Sequence, residues 1–320
     1  MHAAPRRATP NFSVIEFRNV TKTYKSILGR TVQAVEDFSL QVSEGEVLGI
    51  AGPNGAGKST LLSMLLGYFP PTKGEILVAG LSPRRFVERN GIGYLSELVA
   101  IPPRWKLGAA LQRYAILADI APERVSGRVN EVCAQLGLDE HRGKRVKALS
   151  KGTLQRLGLA QALLRDERLM ILDEPTHGLD PVWTQNFRDI VTGLKAPSRT
   201  IIIASHNLDE LQRIADRVAI IDHGHLQRLV TTGYREDDQS SGKYQVGIAS
   251  GAEMFLSVEP RAAEIAPNLF AVGPLTVSEL NVLMRKLLDA GILVASIVPA
   301  ESVLERQFRE AVGEQPGGTR

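Results

Sequence analysis

Apolar residues in this chain alternate with polar ones in some stretches and run unbroken in others, and the two patterns predict strands of different kinds. Val14-Ile15-Glu16-Phe17-Arg18-Asn19-Val20 and the segment Gln33 to Val42 read as strands joined by a polar loop. Val47 to Ala51, Ile92 to Leu95, Leu169 to Leu172 and Ile201 to Ala204 are short continuous apolar runs, as expected of buried strands. Gly74 to Gly80, GEILVAG, is one more strand bounded by glycines. Helical character follows in Thr60 to Leu66, from Leu107 to about Leu138 with a break near Pro122, and again from about Lys151. Strands and helices interleaved in this way predict an α/β fold, with the long helical insertion as a separate lobe. Residues 1–11 are expected to be a disordered tail and 234–243, which include REDDQSSGK, a polar linker. Residues 244–320 then form a small α+β unit. In it the capping box Thr276 to Glu279 opens a helix carrying Leu280, Leu283, Met284, Leu287 and Leu288, Gly291 closes it, and the strand Ile292 to Val298 follows.

Composition narrows the class without naming it. A chain of 320 residues that is 43 % hydrophobic can build a large core, and no window approaches the ~18 uninterrupted apolar residues of a membrane span. The start, MHAAPRRATP, has no apolar core of a secretory signal, so a cytosolic location is expected. A net charge of +3 is too small and too dispersed to be a nucleic-acid footprint, and no nucleic-acid partner is expected. Cys133 is the only cysteine, which excludes an internal disulfide; on the helix Val129 to Leu136 it reads as a core residue.

The chemistry gathers at strand ends. Between the strand at Val47 and the helix after it, Gly52, Pro53, Asn54, Gly55, Ala56, Gly57, Lys58 and Ser59, running on into Thr60, fit the phosphate-loop pattern in the required order of strand, loop and helix. Glycines allow backbone N–H groups to turn inward around phosphate oxygens, Lys58 reaches the β- and γ-phosphates, and the Ser59 hydroxyl is placed to ligate Mg²⁺. The run Leu169 to Leu172 closes with Asp173 and Glu174, the Walker-B arrangement: Asp173 holds Mg²⁺ through water and Glu174 orients an attacking water. Glu97, just beyond the strand at Ile92, is either a solvated loop charge or a ligand-side group at a strand end. His206 follows the strand Ile201 to Ala204; alone it carries little meaning. Tyr24 reads as a strand-end aromatic on position alone.

Leu149-Ser150-Lys151-Gly152-Thr153-Leu154-Gln155-Arg156, upstream of the acid pair, resembles the LSGGQ signature loop of ATP-binding-cassette (ABC) proteins. With the phosphate loop and acid pair it makes the chain similar to the nucleotide-binding subunit of an ABC transporter over residues 12–233. The resemblance implies a phosphate-loop NTPase core with an antiparallel β subdomain and a helical subdomain at about 98–165. It implies that Ser150 and Gly152 hold the γ-phosphate of an ATP bound on the opposite subunit. Asp180 becomes the loop residue at the dimer interface, His206 the switch histidine contacting γ-phosphate, and Tyr24 an adenine-stacking aromatic. ATP and Mg²⁺ are the implied ligands. A homodimer or related heterodimer is implied, at the inner face of the cell membrane on a separate permease.

Three departures stand out: Lys151 and Thr153 replace the usual Gly and Gln of the signature, and Glu97 stands where the family has a Gln that senses metal, water and permease. The Glu97 exchange, PTHGLDP from Pro175 and the ending AESVLERQF resemble the branch that exports drugs, lipids or polysaccharides. The alternative is a soluble ABC ATPase acting on nucleic acid or ribosomes, although a single cassette without sustained heptads is unlike most of those. The C-terminal unit is either regulatory and dimer-supporting or a packing appendage.

Overall fold

The computed structural model describes residues 13–25, 31–232 and 242–313. Residues 1–11 and 234–241, expected as tail and most of the linker, lie outside them. The chain divides into two compact units, the first taking the residues up to Thr232 together with Ala311–Gly313 and the second running from Gly233 to Glu310.

The first unit opens with β1 (Ser13–Lys25) and β2 (Thr31–Ser43) and continues through β3 (Val47–Ala51), α1 (Lys58–Leu65), β4 (Lys73–Val78), α2 (Pro83–Asn90) and β5 (Gly93–Leu95). Three helices follow, α3 (Leu107–Leu117), α4 (Pro122–Gln135) and α5 (Lys151–Leu163). The unit closes with β6 (Leu169–Asp173), α6 (Pro181–Leu194), β7 (Thr200–Ala204), α7 (Leu208–Ile214), β8 (Arg217–Asp222) and β9 (His225–Thr231).

The alternating segments make an antiparallel sheet of order β2-β1-β4. Ile15 and Phe17 face inward with period two, and a bulge at Asn19, whose φ is 47°, brings Val20 back to the same buried face. The continuous runs make a second sheet, β5-β6-β7-β3-β8-β9, parallel except for β9. Every residue of β3, β6 and β7 is buried, which is why these strands show no alternation. This arrangement decides where chemistry can occur. Ala204 pairs with Ile50 on one side and Asp173 on the other, so three strands end side by side. Adjacent strands are about 4.8 Å apart, which puts everything after Ala51, Asp173 and Ala204 on one short edge.

Helices α3, α4 and α5 bury Leu107, Leu111, Val129, Val132, Cys133 and Leu157. Burial pushes the Cys133 thiol pKa up, in keeping with a core role. The break expected near Pro122 is the gap between α3 and α4, with proline in the first turn of α4, where its missing N–H costs nothing.

Across α6 and α7, Arg188 Nε donates to Glu210 Oε1 at 2.8 Å, and the Glu210 side chain is wholly buried. Truncating one partner of such a pair leaves the other charge without compensation. Arg188→Ala is therefore expected to destabilise the unit by about 3 kcal/mol, the low end for a buried pair because Arg188 itself is partly exposed. A lowered urea midpoint measures this, and an unchanged midpoint would mean that Glu210 finds another donor.

The second unit contains β10 (Gly242–Ser250), α8 (Ala252–Val258), β11 (Ala263–Ala266), β12 (Leu269–Leu275), α9 (Val277–Asp289) and β13 (Leu293–Pro299), with α10 (Val303–Val312) after it. Its antiparallel sheet has the order β11-β12-β10-β13, a split βαββαβ arrangement. Phe255 and Phe270 stack 4.2 Å apart among Val246, Ile248, Leu283 and Leu287. The capping box is present, with Thr276 N donating to Glu279 Oε2 at 2.7 Å and Glu279 N to Thr276 Oγ1 at 3.2 Å. Two expectations change: β10 starts at Gly242, inside the expected linker, and Leu288, grouped by spacing with the core-facing residues, is exposed.

Candidate functional site

The phosphate-loop segment leaves β3 at Ala51 and enters α1 at Lys58, two residues before the helix start read from sequence. Two glycines are required by space. A Cβ on Gly52 would lie 2.3 Å from Ile221 O, and one on Gly57, whose φ is +107°, would lie 2.5 Å from Ala34 O. The first turn of α1 leaves backbone N–H groups without helical acceptors, and Ser59 stands exposed there. Lys58 is buried; its Nζ donates to Gly52 O at 2.6 Å and to Pro53 O at 3.2 Å, which holds the ammonium over the loop. Burial lowers its pKa, opposed by Glu174, Asp173 and Glu97.

Those three acids are the other half of the arrangement. Asp173 ends β6 nearly buried, and burial, with Glu97 and then Glu174 adding to it and Lys58 opposing, pushes its carboxyl up to about 6. Burial, with Asp173, Tyr68 and Glu97 adding to it, pushes the Tyr94 phenol on β5 up to about 12. Glu97 itself is exposed in the loop after β5, yet its charge reaches Asp173, Lys58 and Tyr94.

Glu174 has a left-handed backbone, φ 48°, uncommon for a residue with a Cβ and typical of functional turns. Its N–H donates to Ala204 O at 2.9 Å, so the turn swings the carboxylate from the end of β6 to the end of β7. There Oε1 accepts from His206 N at 3.1 Å, and Oε2 lies 2.8 Å from His206 Nδ1 and 3.4 Å from Ser205 Oγ. Behind it, Gln155 Nε2 of α5 donates to Glu174 O and Pro175 O at 3.1 and 3.2 Å. Sequence reasoning gave Ser205 and Gln155 no role. The available signals were the hydroxyl beside His206 and a polar residue on the inward face of an apolar helix.

Lys58, Asp173, Glu174 and His206 thus come together at one sheet edge, with Glu97 at its margin. The remaining candidates sit elsewhere. Ser150 caps α5, its Oγ accepting from Thr153 N at 3.2 Å and lying 2.8 Å from Thr153 Oγ1. Gly152 lets α5 approach the segment after β6, since a Cβ there would be 3.1 Å from Gly178 O. Lys151, one of the departures from the signature, lies 2.9 Å from His177 Nε2. Asp180 caps α6 through Trp183 N at 2.9 Å, and the Arg156 guanidinium stacks 4.0 Å over the Trp183 ring. Tyr24 at the end of β1 packs edge-on against Phe69, 5.9 Å between centroids, and keeps 40 % of its surface exposed. Among the described residues, no hydrogen bond or ion pair joins Ser150, Gly152, Asp180 or Tyr24 to residues 52–60.

A phosphate loop on a parallel sheet, an acid pair two strands away across β7 and a helical lobe define an ATPase of the cassette class. Residues 35–177 match the family model described as ABC transporter, a span that includes the phosphate loop, signature and acid pair but not Tyr24, Asp180 or His206. The chain is 37 % identical over 215 residues to the ABC transporter ATP-binding protein YhcH of Bacillus subtilis (strain 168), covering 67 % of this chain and 68 % of that one. It is 35 % identical over 217 residues to the lipopolysaccharide export system ATP-binding protein LptB of Escherichia coli (strain K12), covering 65 % and 87 %. A dimeric ATP-binding cassette in a post-hydrolysis state with ADP and phosphate has the same fold, with TM-score 0.64 at 23 % identity over 69 % of this chain and all of that one. The chain belongs to the family of ABC transporter ATP-binding proteins and is the ATPase subunit of a transporter.

Proposed function

We propose that the chain powers an exporter by closing on ATP as a head-to-tail dimer, either with itself or with a related chain, against a separate permease at the inner face of the membrane. The observation that carries the catalytic assignment is the Glu174 carboxylate, turned by its left-handed backbone onto His206 and Ser205 beside the loop that holds Lys58. Lys58 and the loop N–H groups bind the β- and γ-phosphates, and Tyr24 stacks on adenine. Glu174 polarises the attacking water, and His206, hydrogen-bonded to Glu174, presents its exposed ring to the γ-phosphate.

The donor set fits Mg²⁺. Asp173, Glu174 and Glu97 concentrate negative charge where burial already penalises it, with the Ser59 hydroxyl in the adjoining loop. One carboxylate and one hydroxyl, completed by waters and phosphate oxygens, is how this ion is commonly held. Ser59 and Asp173 would ligate it, with Glu97 at the edge of that shell; bound there, the ion supplies charge neutralisation to the phosphates.

The dimer follows from what is apart. Ser150 and Gly152 sit at the start of the 13-residue α5, where helix N–H groups favour an anion, yet nothing ties them to their own phosphate loop. A second chain placed head-to-tail supplies them, with Asp180, to the ATP of the first. The permease reading is supported by Leu98, next to Glu97 and 81 % exposed. It is consistent that no helix among the described residues is long and apolar enough to cross a membrane. The name of the Escherichia coli relative supports the exporter direction. Residues 12–233 carry all of this chemistry, and the unit from 244 on is assigned an accessory role. ATP-dependent dimerisation is the test: Glu174→Gln protein should double its mass by light scattering at saturating ATP. A chain that stays monomeric with ATP, alone and with its permease, overturns the composite site.

A further inference from the structure

Two basic runs distant in sequence lie side by side in the helical lobe. Lys106 and Arg145 form an antiparallel bridge, extended by Val146 N to Trp105 O at 2.9 Å, Lys147 N to Pro103 O at 3.1 Å and Leu107 N to Lys144 O at 3.0 Å. Leu107 and Val146 are buried and anchor this ladder, while Arg104, Lys106, Lys144, Arg145 and Lys147 all point to exposed positions. Among the described residues these five side chains make no ion pair or hydrogen bond. Arg113 of α3 adds a sixth cation, 4.5 Å over the Trp105 ring, whose centroid lies 6.3 Å from that of Tyr114. Of the two acids shortly before the second run in the chain, Asp139 and Glu140, Asp139 is paired with Arg142 at 2.7 Å.

We propose that this ladder is a docking surface for an anionic phospholipid leaflet, seating the helical lobe on the membrane. The inference rests on the reading of the chain as a subunit that works at a membrane. Three observations favour a leaflet over nucleic acid. The cations stand on a short ladder with an amphipathic Trp–Tyr pair, a combination suited to the headgroup layer. Arg113 already covers one face of the Trp105 ring, leaving less of it for a base to stack on. The ladder is also continuous with the loop bearing exposed Leu98, through Pro103.

The test is co-sedimentation of the full chain, without permease, with vesicles of phosphatidylcholine alone or mixed with phosphatidylglycerol. The chain should bind only the anionic vesicles and release as salt is raised. Lys106→Glu/Lys144→Glu/Lys147→Glu should weaken binding about 100-fold or more, given roughly fivefold per lost cation near the surface. The corresponding Gln triple should fall between this variant and wild type, and both should hydrolyse ATP normally, since none of the three positions belongs to the nucleotide site. Equal binding to neutral vesicles, or wild-type vesicle binding by both triples, overturns the proposal. Tighter binding to duplex DNA than to vesicles of equal phosphate content would also overturn it, making this a nucleic-acid surface. Absent vesicle binding with normal ATP hydrolysis rejects the membrane surface and leaves the ATPase reading standing.

Discussion

Glu174→Gln is expected to cut ATP turnover by about 100-fold or more while leaving ATP binding intact, the effect of removing a positioned general base. Glutamine keeps the length and backbone of Glu174, so the turn at φ 48° and the bond from its N–H to Ala204 O survive. What changes is the group at the end of β7: an amide is a poor base, and its NH₂ competes with the contacts at His206 Nδ1 and Ser205 Oγ. Binding should not suffer, because Glu174 is among the charges that push Asp173 up, and neutralising it relieves that repulsion. Steady-state hydrolysis alongside titration with a fluorescent ATP analogue separates the two quantities. Hydrolysis at the wild-type rate would remove Glu174 from the catalytic role.

The second expectation concerns two chains. Lys58→Ala removes the ammonium that crosses the loop to Gly52 O and Pro53 O, and Ser150→Arg places a long cation at the start of α5. Each variant alone should be inactive. In a mixture, one composite site of the mixed dimer carries both lesions and the other carries neither, so activity should return toward a fraction of wild type set by random pairing. Recovery identifies the interface as the site of hydrolysis. If the mixture stays inactive while light scattering shows that mixed dimers form, a single intact site does not suffice for turnover. If each variant retains activity alone, the assignment of Lys58 and Ser150 to one ATP fails.

Local chemistry carried a large part of this reading. The loop from Gly52 to Ser59 was legible because its requirements are short-range: glycine where a Cβ would strike backbone, a lysine of the right reach, a strand before and a helix after. The Thr276 to Glu279 capping box and the unbroken runs of β3, β6 and β7 were legible for the same reason, since each states its burial or its hydrogen bonds within a few residues. The family resemblance added the helical subdomain and the signature loop, which periodicity alone would have left as a helical insertion.

Other features had no local signature. Nothing in the residues around 174 indicates a left-handed turn, because that conformation is held by Ala204, Ser205, His206 and Gln155, which belong to other elements. The same holds for Lys151 beside His177 and for the basic ladder, whose two runs are separated by some forty residues and meet only when α3 and α4 pack. The βαββαβ order of the second unit likewise depends on which strands pair across the sheet, and pairing at long range is invisible to a pattern of period two. Residue order alone therefore shows which segments must be buried and which polar groups stand at their ends. Which of those groups share a site depends on parallel strands ending at one edge and on contacts between residues far apart in the chain, and so is visible only in the folded molecule.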